Sequence, residues 1–316
     1  MKVGLIDVDS HGFPNLPLMK ISAFHKSQGD TVEFVSDGGT YDRVYISKVF
    51  TESREPNINF HCDEVRRGGS GYDLKNRLPD EIEHQCPDYS LYPQFDFALG
   101  FLTRGCPRCN HTFCITPEKD GAKSKKVADL SEFWTSQKKI VLLDQNILAC
   151  KDRIDLLQQL VDSKAKVEFN GGIDVRLLDQ KCLNLLNSMK IPNHYFAWDD
   201  PREDLRDVFT WLRPQLKQRD NDLTVYVLVN YWSTIEEDLK RIYWLRDNGF
   251  SPYVMIYDKQ KFVDQAGNWL PDVWQKYDLD ELIHFKICHQ MQRWCNNRFV
   301  FNKVKRFEEY FVGRKG

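Results

Sequence analysis

The sequence predicts an α/β protein built around a parallel sheet. Three observations lead there. Short apolar runs at residues 97–103, 139–143, 166–169, 194–198, 224–229 and 253–257 have the length and composition of buried strands. The segments between them repeat apolar residues at helical spacing, as in Leu205, Val208, Phe209 and Leu212 or Cys182, Leu185, Leu186 and Met189. Strand and helix alternate throughout, which implies parallel strands joined by right-handed crossovers, in a sheet either open or curled toward a barrel.

Taken in order, residues 2–8 predict a strand, 14–28 a helix stopped by Gly29, and 31–35 and 43–49 two further strands, together a small α/β layer. Residues 51–93 turn polar and carry Gly68, Gly69, Gly71, Pro79, Pro87 and Pro93 without a sustained period, and so predict a linker or irregular excursion. Ile235, Leu239, Ile242 and Tyr243 mark a helix face, with Thr234 and Glu237 as a capping box and Gly249 as its end. The expected organisation is 1–93 as layer plus linker, 94–281 as the main strand and helix array, and 282–316 as a closing segment.

Lys and Arg number 44 against 46 Asp and Glu, a net charge of −2, and hydrophobic residues make up 41% of the 316, enough for a proper core. Disordered and collagen-like classes are excluded, and the balance argues against affinity resting on phosphate neutralisation. No apolar run approaches bilayer length, and the amino-terminal MKVGLIDVD reaches aspartate too early for a signal-peptide core, so a cytoplasmic protein with no membrane partner is expected. Nine cysteines without framework spacing point to clustered metal ligands rather than disulfides.

Polar residues follow the predicted strands: Asp144 and Asn146, Asn170 and Asp174, Asp199, Asn230 and Asp258. The carboxyl edge of a parallel sheet is where such folds bind ligands, although Asp and Asn also favour turns and helix starts. After the 97–103 run come Cys106, Cys109 and Cys114, three thiols within nine residues on a loop containing Gly105 and Pro107. Such a loop lets three thiolates converge on one soft centre, as in an iron–sulfur cluster, and three ligands to a cubane leave one iron open. With His111 the same residues are also a sufficient set for zinc, although structural zinc sites usually draw on separated pairs. Burial of the thiols as small hydrophobes fits a polar loop poorly.

The flanks Thr103 to Arg108 and Phe113–Cys114 resemble the cysteine loop of the radical S-adenosylmethionine superfamily. Its usual CxxxCxxC is replaced here by CxxCxxxxC, an arrangement that also occurs in the superfamily. ITPEKDG (115–121), KIVLLDQNILAC (139–150), GIDVR (172–176), FAWDDP (196–201) and YVLVN (226–230) are similar to further segments of such proteins. The resemblance implies a partial (βα)6 TIM-like barrel behind a small Rossmann-like α/β layer. It further implies a [4Fe–4S] cluster on Cys106, Cys109 and Cys114, and S-adenosylmethionine cleaved to a 5′-deoxyadenosyl radical that acts on an unidentified substrate. Phe113 would pack near the adenine and Asp144 or Asn146 would meet the methionine amine. Arg176, Asp199 and Asn230 would contact the cofactor carboxylate, ribose or substrate. An external reductant such as flavodoxin or ferredoxin is implied as partner.

Asp9-Ser10-His11 resembles the DxH of cobalamin-binding domains, but Pro14 stands where a glycine is expected, so a similar layer without bound cobalamin is the expectation. Cys288 and Cys295, seven apart, supply two ligands and not a second cluster. The run 290–306 interleaves Arg293, Arg298, Lys303, Lys305 and Arg306 with Trp294, Phe299 and Phe301, and Phe307 follows it. It suits either a closing amphipathic segment or, in an alternative reading, a metal-stapled module that binds RNA without radical chemistry.

Overall fold

A computed structural model describes residues 1–108, 112–264 and 267–312, and its architecture is mixed α/β with parallel sheets. The chain divides into two units, Met1–Gly171 with Lys181–Lys190, and Gly172–Gln180 with Ile191–Gly316. No helix among the described residues is long and apolar enough to cross a membrane.

The first unit opens with β1 (Lys2–Asp7), α1 (Leu16–Ser27), β2 (Thr31–Phe34), β3 (Gly39–Ser47) and β4 (Phe60–Gly68). These strands form one sheet in the order β2-β1-β3-β4, every neighbour parallel. Asn15 caps α1 by accepting from the Leu18 N–H at 3.2 Å, and Leu18 and Ile21 bury against Val3, Leu5 and Tyr45. β4 corrects the sequence reading, which saw only linker there. As an edge strand it carries Phe60, Cys62 and Val65 among charged residues, and burial alternates only partly along it, too weak a period to stand out.

The same unit continues through α2 (Asp80–Glu83), β5 (Phe97–Gly100), β6 (Thr103–Arg104), α3 (Thr116–Lys119), β7 (Lys125–Lys126), β8 (Lys139–Leu142), α4 (Arg153–Ser163), β9 (Lys166–Phe169) and α5 (Gln180–Ser188). β5, β8 and β9 make a second parallel sheet in chain order, with Leu156, Leu157 and Leu160 of α4 buried. Leu16 of α1 packs with Leu99 and Val141, so the amino-terminal layer shares a core with this sheet. The divide between units accordingly falls after Gly171, inside the 94–281 segment.

The second unit holds β10 (His194–Ala197), α6 (Arg206–Leu212), β11 (Leu223–Val229), α7 (Ile235–Asp247), β12 (Ser251–Ile256), α8 (Val273–Lys276), α9 (Leu279–Asn296), α10 (Arg298–Lys303) and α11 (Phe307–Val312). Its three strands form a parallel sheet, again in chain order. The Thr234–Glu237 capping box is present, but α7 buries Asp238, Arg241, Ile242 and Leu245, a face rotated from the predicted one because an internal ion pair lies on it. α9 covers the free edge of β12: the Val254 N–H donates to Asn296 Oδ1 at 2.8 Å, while Gln292 and Asn296 amides donate to its carbonyl at 3.0 and 2.9 Å. Trp294, Phe301 and Phe307 are buried together, and Phe299 alone of the aromatics in that run stands exposed. They form a packed cluster and not an exposed stacking surface.

Candidate functional site

The predicted strand at 97–103 stops at Gly100 because the next backbone amides turn to a side chain. Leu102 N–H donates to Asp144 Oδ2 at 3.1 Å, and Thr103 donates to Oδ1 through its N–H at 2.5 Å and its hydroxyl at 2.6 Å. The chain then runs as β6, pairs antiparallel with β7, and so closes the cysteine-bearing excursion at its base. Gly105 begins that excursion with φ +92°, and a Cβ there would lie 2.2 Å from the Lys123 carbonyl oxygen. Gly171, just past β9, has the same need for space, its Cβ position being 2.0 Å from the Asp144 carbonyl oxygen.

Three consecutive residues after β8 hold the loop. Asp144 fixes Leu102 and Thr103; Gln145 Oε1 accepts from the Gly105 N–H at 3.2 Å while its amide donates to Asp120 at 2.9 Å; Asn146 Nδ2 donates to Cys106 Sγ at 3.6 Å. Asp144 is 3% exposed, and burial pushes its carboxyl up to about 6 against the pull of the Thr103 and Leu102 donors. Its two oxygens accept all three of those donors. Asp144 and Asn146, expected to meet a cofactor amine, are engaged in positioning the cysteine loop.

Cys106 is buried, with its N–H donating to the Gly121 carbonyl at 3.1 Å, and Cys114 is half-buried after a half-buried Phe113. Cys109 and His111 lie outside the described residues. The donor set that is described, two thiols on a strand-end loop with an amide N–H directed at one sulfur, fits an iron–sulfur group: thiolates are its ligands, and hydrogen bonds to sulfur tune it. Among the described residues no group of three metal-ligating side chains is assembled.

Beside the loop a cavity of about 500 Å³ opens at the carboxyl ends of both sheets of the first unit. Phe13, Val49, Phe50, Phe101 and Leu143 give it apolar walls, and Asn170, Arg104 and Lys119 give it polar ones. His11, with φ 48°, lines it too, its ring 6.2 Å from that of Phe50. A second pocket of about 330 Å³ shares Gly69, Ser70, Glu83, Arg104 and Lys119 with the first. Sequence reasoning read Gly68, Gly69 and Gly71 as part of a linker and passed over Lys20, Arg77, Arg104 and Lys119 as site residues; they lie far apart in the chain, and no local signal joins them.

In the second unit Arg176 and Asn230 hydrogen-bond to neighbours within the unit, and Arg241 of α7 reaches the strand ends. Arg176 donates to Asp174 Oδ1 at 3.1 Å and to Glu203 through Nε at 2.8 Å and through Nη2. Arg241, buried with Asp238 at 2.5 Å, donates to the carbonyls of Trp198 (2.7 Å), Asp199 (2.9 Å) and Leu228 (3.0 Å). Asn230, left-handed at φ 63°, donates to the Tyr257 carbonyl at 3.1 Å, and Asp258 pairs with Lys261 at 2.5 Å. Cys182, Cys288 and Cys295 are buried thiols, and burial pushes the last two well above the usual range. Neither a protein-family model nor a curated protein matches the chain.

Proposed function

We propose that the chain is a radical S-adenosylmethionine enzyme, with a [4Fe–4S] cluster on Cys106, Cys109 and Cys114 and a substrate chamber in the adjoining cavity. The observation that carries this reading is the triple clamp of Asp144, Gln145 and Asn146 on the cysteine loop, which ends on the Cys106 sulfur itself. A loop used only for surface decoration has no call for a buried carboxylate at its root and an amide N–H at its thiol.

When bound, the cluster and S-adenosylmethionine supply reductive cleavage of the cofactor to a 5′-deoxyadenosyl radical. The protein's own part is positional. Asp144 holds the loop root, Asn146 orients the Cys106 sulfur, and the apolar walls of the cavity give a substrate a surface to bind against. As fold, the proposal takes β5, β8 and β9, then β10, β11 and β12, as the strands of a partial (βα)6 barrel in chain order. Exposed Lys123, Lys125 and Lys151 surround Pro107, next to Cys106, and offer an acidic reductant such as flavodoxin or ferredoxin a cationic landing surface.

The test is anaerobic reconstitution with iron and sulfide, reduction, and assay of 5′-deoxyadenosine. Wild-type protein is expected to form it and Cys114→Ala to form none while keeping its circular dichroism spectrum; equal formation by the variant would refute the assignment.

A further inference from the structure

The rim of the larger cavity in the first unit is held in place by two carboxylates at the end of β1. Asp7 Oδ1 accepts from the Ser10 hydroxyl at 2.5 Å and from its N–H at 3.2 Å, and the Phe13 N–H donates to the Ser10 carbonyl at 2.8 Å, closing the turn that carries His11 and Phe13. His11 and Gly12 take left-handed backbones in that turn, with φ 48° and 81°. Asp9, 4% exposed, accepts the Val49 and Phe50 N–H groups at 2.8 Å each, and the Ser70 hydroxyl donates to the Val49 carbonyl at 3.0 Å. Two apolar lips are thereby fixed before anything binds, which lowers the cost of binding.

Those lips stand in water. Phe13, Val49 and Phe50 are 39%, 43% and 53% exposed around one cavity of about 500 Å³. Anchoring large apolar side chains in solvent does nothing for the fold, and apolar surface left open around a cavity marks a binding site. One face of Phe101 is taken by the Arg104 guanidinium, 4.0 Å from the ring centroid. Phe13 meets the Phe97 ring at 5.9 Å and Phe50 the His11 ring at 6.2 Å, and both still keep the exposure above. Charge on the wall cancels: Lys20, Arg104 and Lys119 stand against Asp9, Glu83 and Asp120, the last paired with Arg104, and the neighbouring pocket adds Arg77 with Asp73. An ion entering such a cavity leaves water without a counter-charge to receive it, whereas an uncharged molecule meets apolar walls and a few polar groups, His11 and Asn170 among them.

We infer that the cavity binds an uncharged planar aromatic molecule, its rings against Phe13 and Phe50 and its polar substituents turned to His11 and Asn170. The assignment deepens the proposed function and rests on it in one respect, that it takes the same cavity as the substrate chamber.

The test is calorimetric titration of the iron-free full-length protein at neutral pH, without S-adenosylmethionine, using naphthol, naphthoate, naphthylmethylammonium and the saturated decahydronaphthol as probes. Naphthol is expected to bind saturably, at least tenfold more tightly than either ion and several-fold more tightly than its saturated counterpart, which cannot stack. Phe50→Ala should weaken naphthol at least fivefold, with Phe50→Tyr restoring most of the affinity. Either ion binding as tightly as naphthol would overturn the uncharged class, equal binding of decahydronaphthol would overturn the aromatic one, and naphthol binding indifferent to Phe50→Ala would overturn the site. If Phe50→Ala failed to fold, Phe13→Ala would serve in its place, and the ranking of the four probes on wild-type protein would still decide the class. Absence of naphthol binding would overturn the inference and leave 5′-deoxyadenosine formation standing, and a negative cleavage assay would leave naphthol binding standing.

Discussion

The two units treat the polar residues at their strand ends in opposite ways. After β8 in the first unit, Asp144, Gln145 and Asn146 reach outward to fix a loop that carries thiols. In the second, Asn230 after β11 and Arg241 of α7 turn inward and satisfy backbone carbonyls at the strand ends of their own unit. Both sets sit at the edge where parallel sheets bind ligands. Location therefore nominates a residue, and the identity of its partner decides whether it builds a site or finishes a fold.

Cysteine substitutions should separate the units most sharply. Cys106→Ala is expected to abolish iron retention after reconstitution, whereas Cys288→Ala, a buried thiol of α9, should keep full iron content and lose about 1 kcal/mol of stability. Iron analysis and urea denaturation of both variants check this; equal iron loss would erase the distinction. Next in size is Arg241→Met. It strands Asp238 in the core and should destabilise the protein by about 3–5 kcal/mol in denaturant titration, while the folded fraction still takes up iron at the wild-type ratio. Asp144→Ala has the converse profile: three donors lose their acceptor, stability falls by about 2–3 kcal/mol, and iron uptake per folded molecule drops as the loop root loosens.

His194 supplies a pH signature confined to the second unit. Its ring is buried at the start of β10, neither nitrogen meets a hydrogen-bond partner among the described residues, and desolvation lowers its pKa to about 4. The unfolded chain takes up the proton near 6.5, so stability present above that pH is lost progressively as pH falls toward 4. His194→Leu should flatten this slope and gain about 1–2 kcal/mol at pH 7, measured by urea denaturation between pH 4.5 and 7.5. The smallest effect is expected at Asn230. Asn230→Gly keeps the left-handed backbone and forfeits one hydrogen bond, about 1 kcal/mol, with no change in 5′-deoxyadenosine formation if the residue serves the fold alone.

Much of the fold was legible because buried parallel strands are continuous apolar runs, and β9 matches its predicted bounds while the others shift by a few residues. β4 escaped because an edge strand needs few apolar residues. The true face of α7 escaped because periodicity counts Asp238 and Arg241 as outward-facing, whereas here each satisfies the other inside. The cysteine loop was legible as a local motif. The gathering of Lys20, Arg77, Arg104 and Lys119 around Glu83 and Asp120 was not, since these residues meet only through the packing of the amino-terminal layer on the first sheet. Nor does sequence distinguish an Asp that clamps a loop from one that meets a ligand: Asp144 became a clamp because Leu102 and Thr103 present donors to it.

The central claim is that this loop holds a cluster with one iron open to the cofactor. Electron paramagnetic resonance of the anaerobically reconstituted, reduced protein, recorded with and without S-adenosylmethionine, tests it most directly. The account predicts a [4Fe–4S] signal whose g-values shift when the cofactor is added. Zinc without iron in the purified protein, or a cluster signal indifferent to the cofactor, would contradict it.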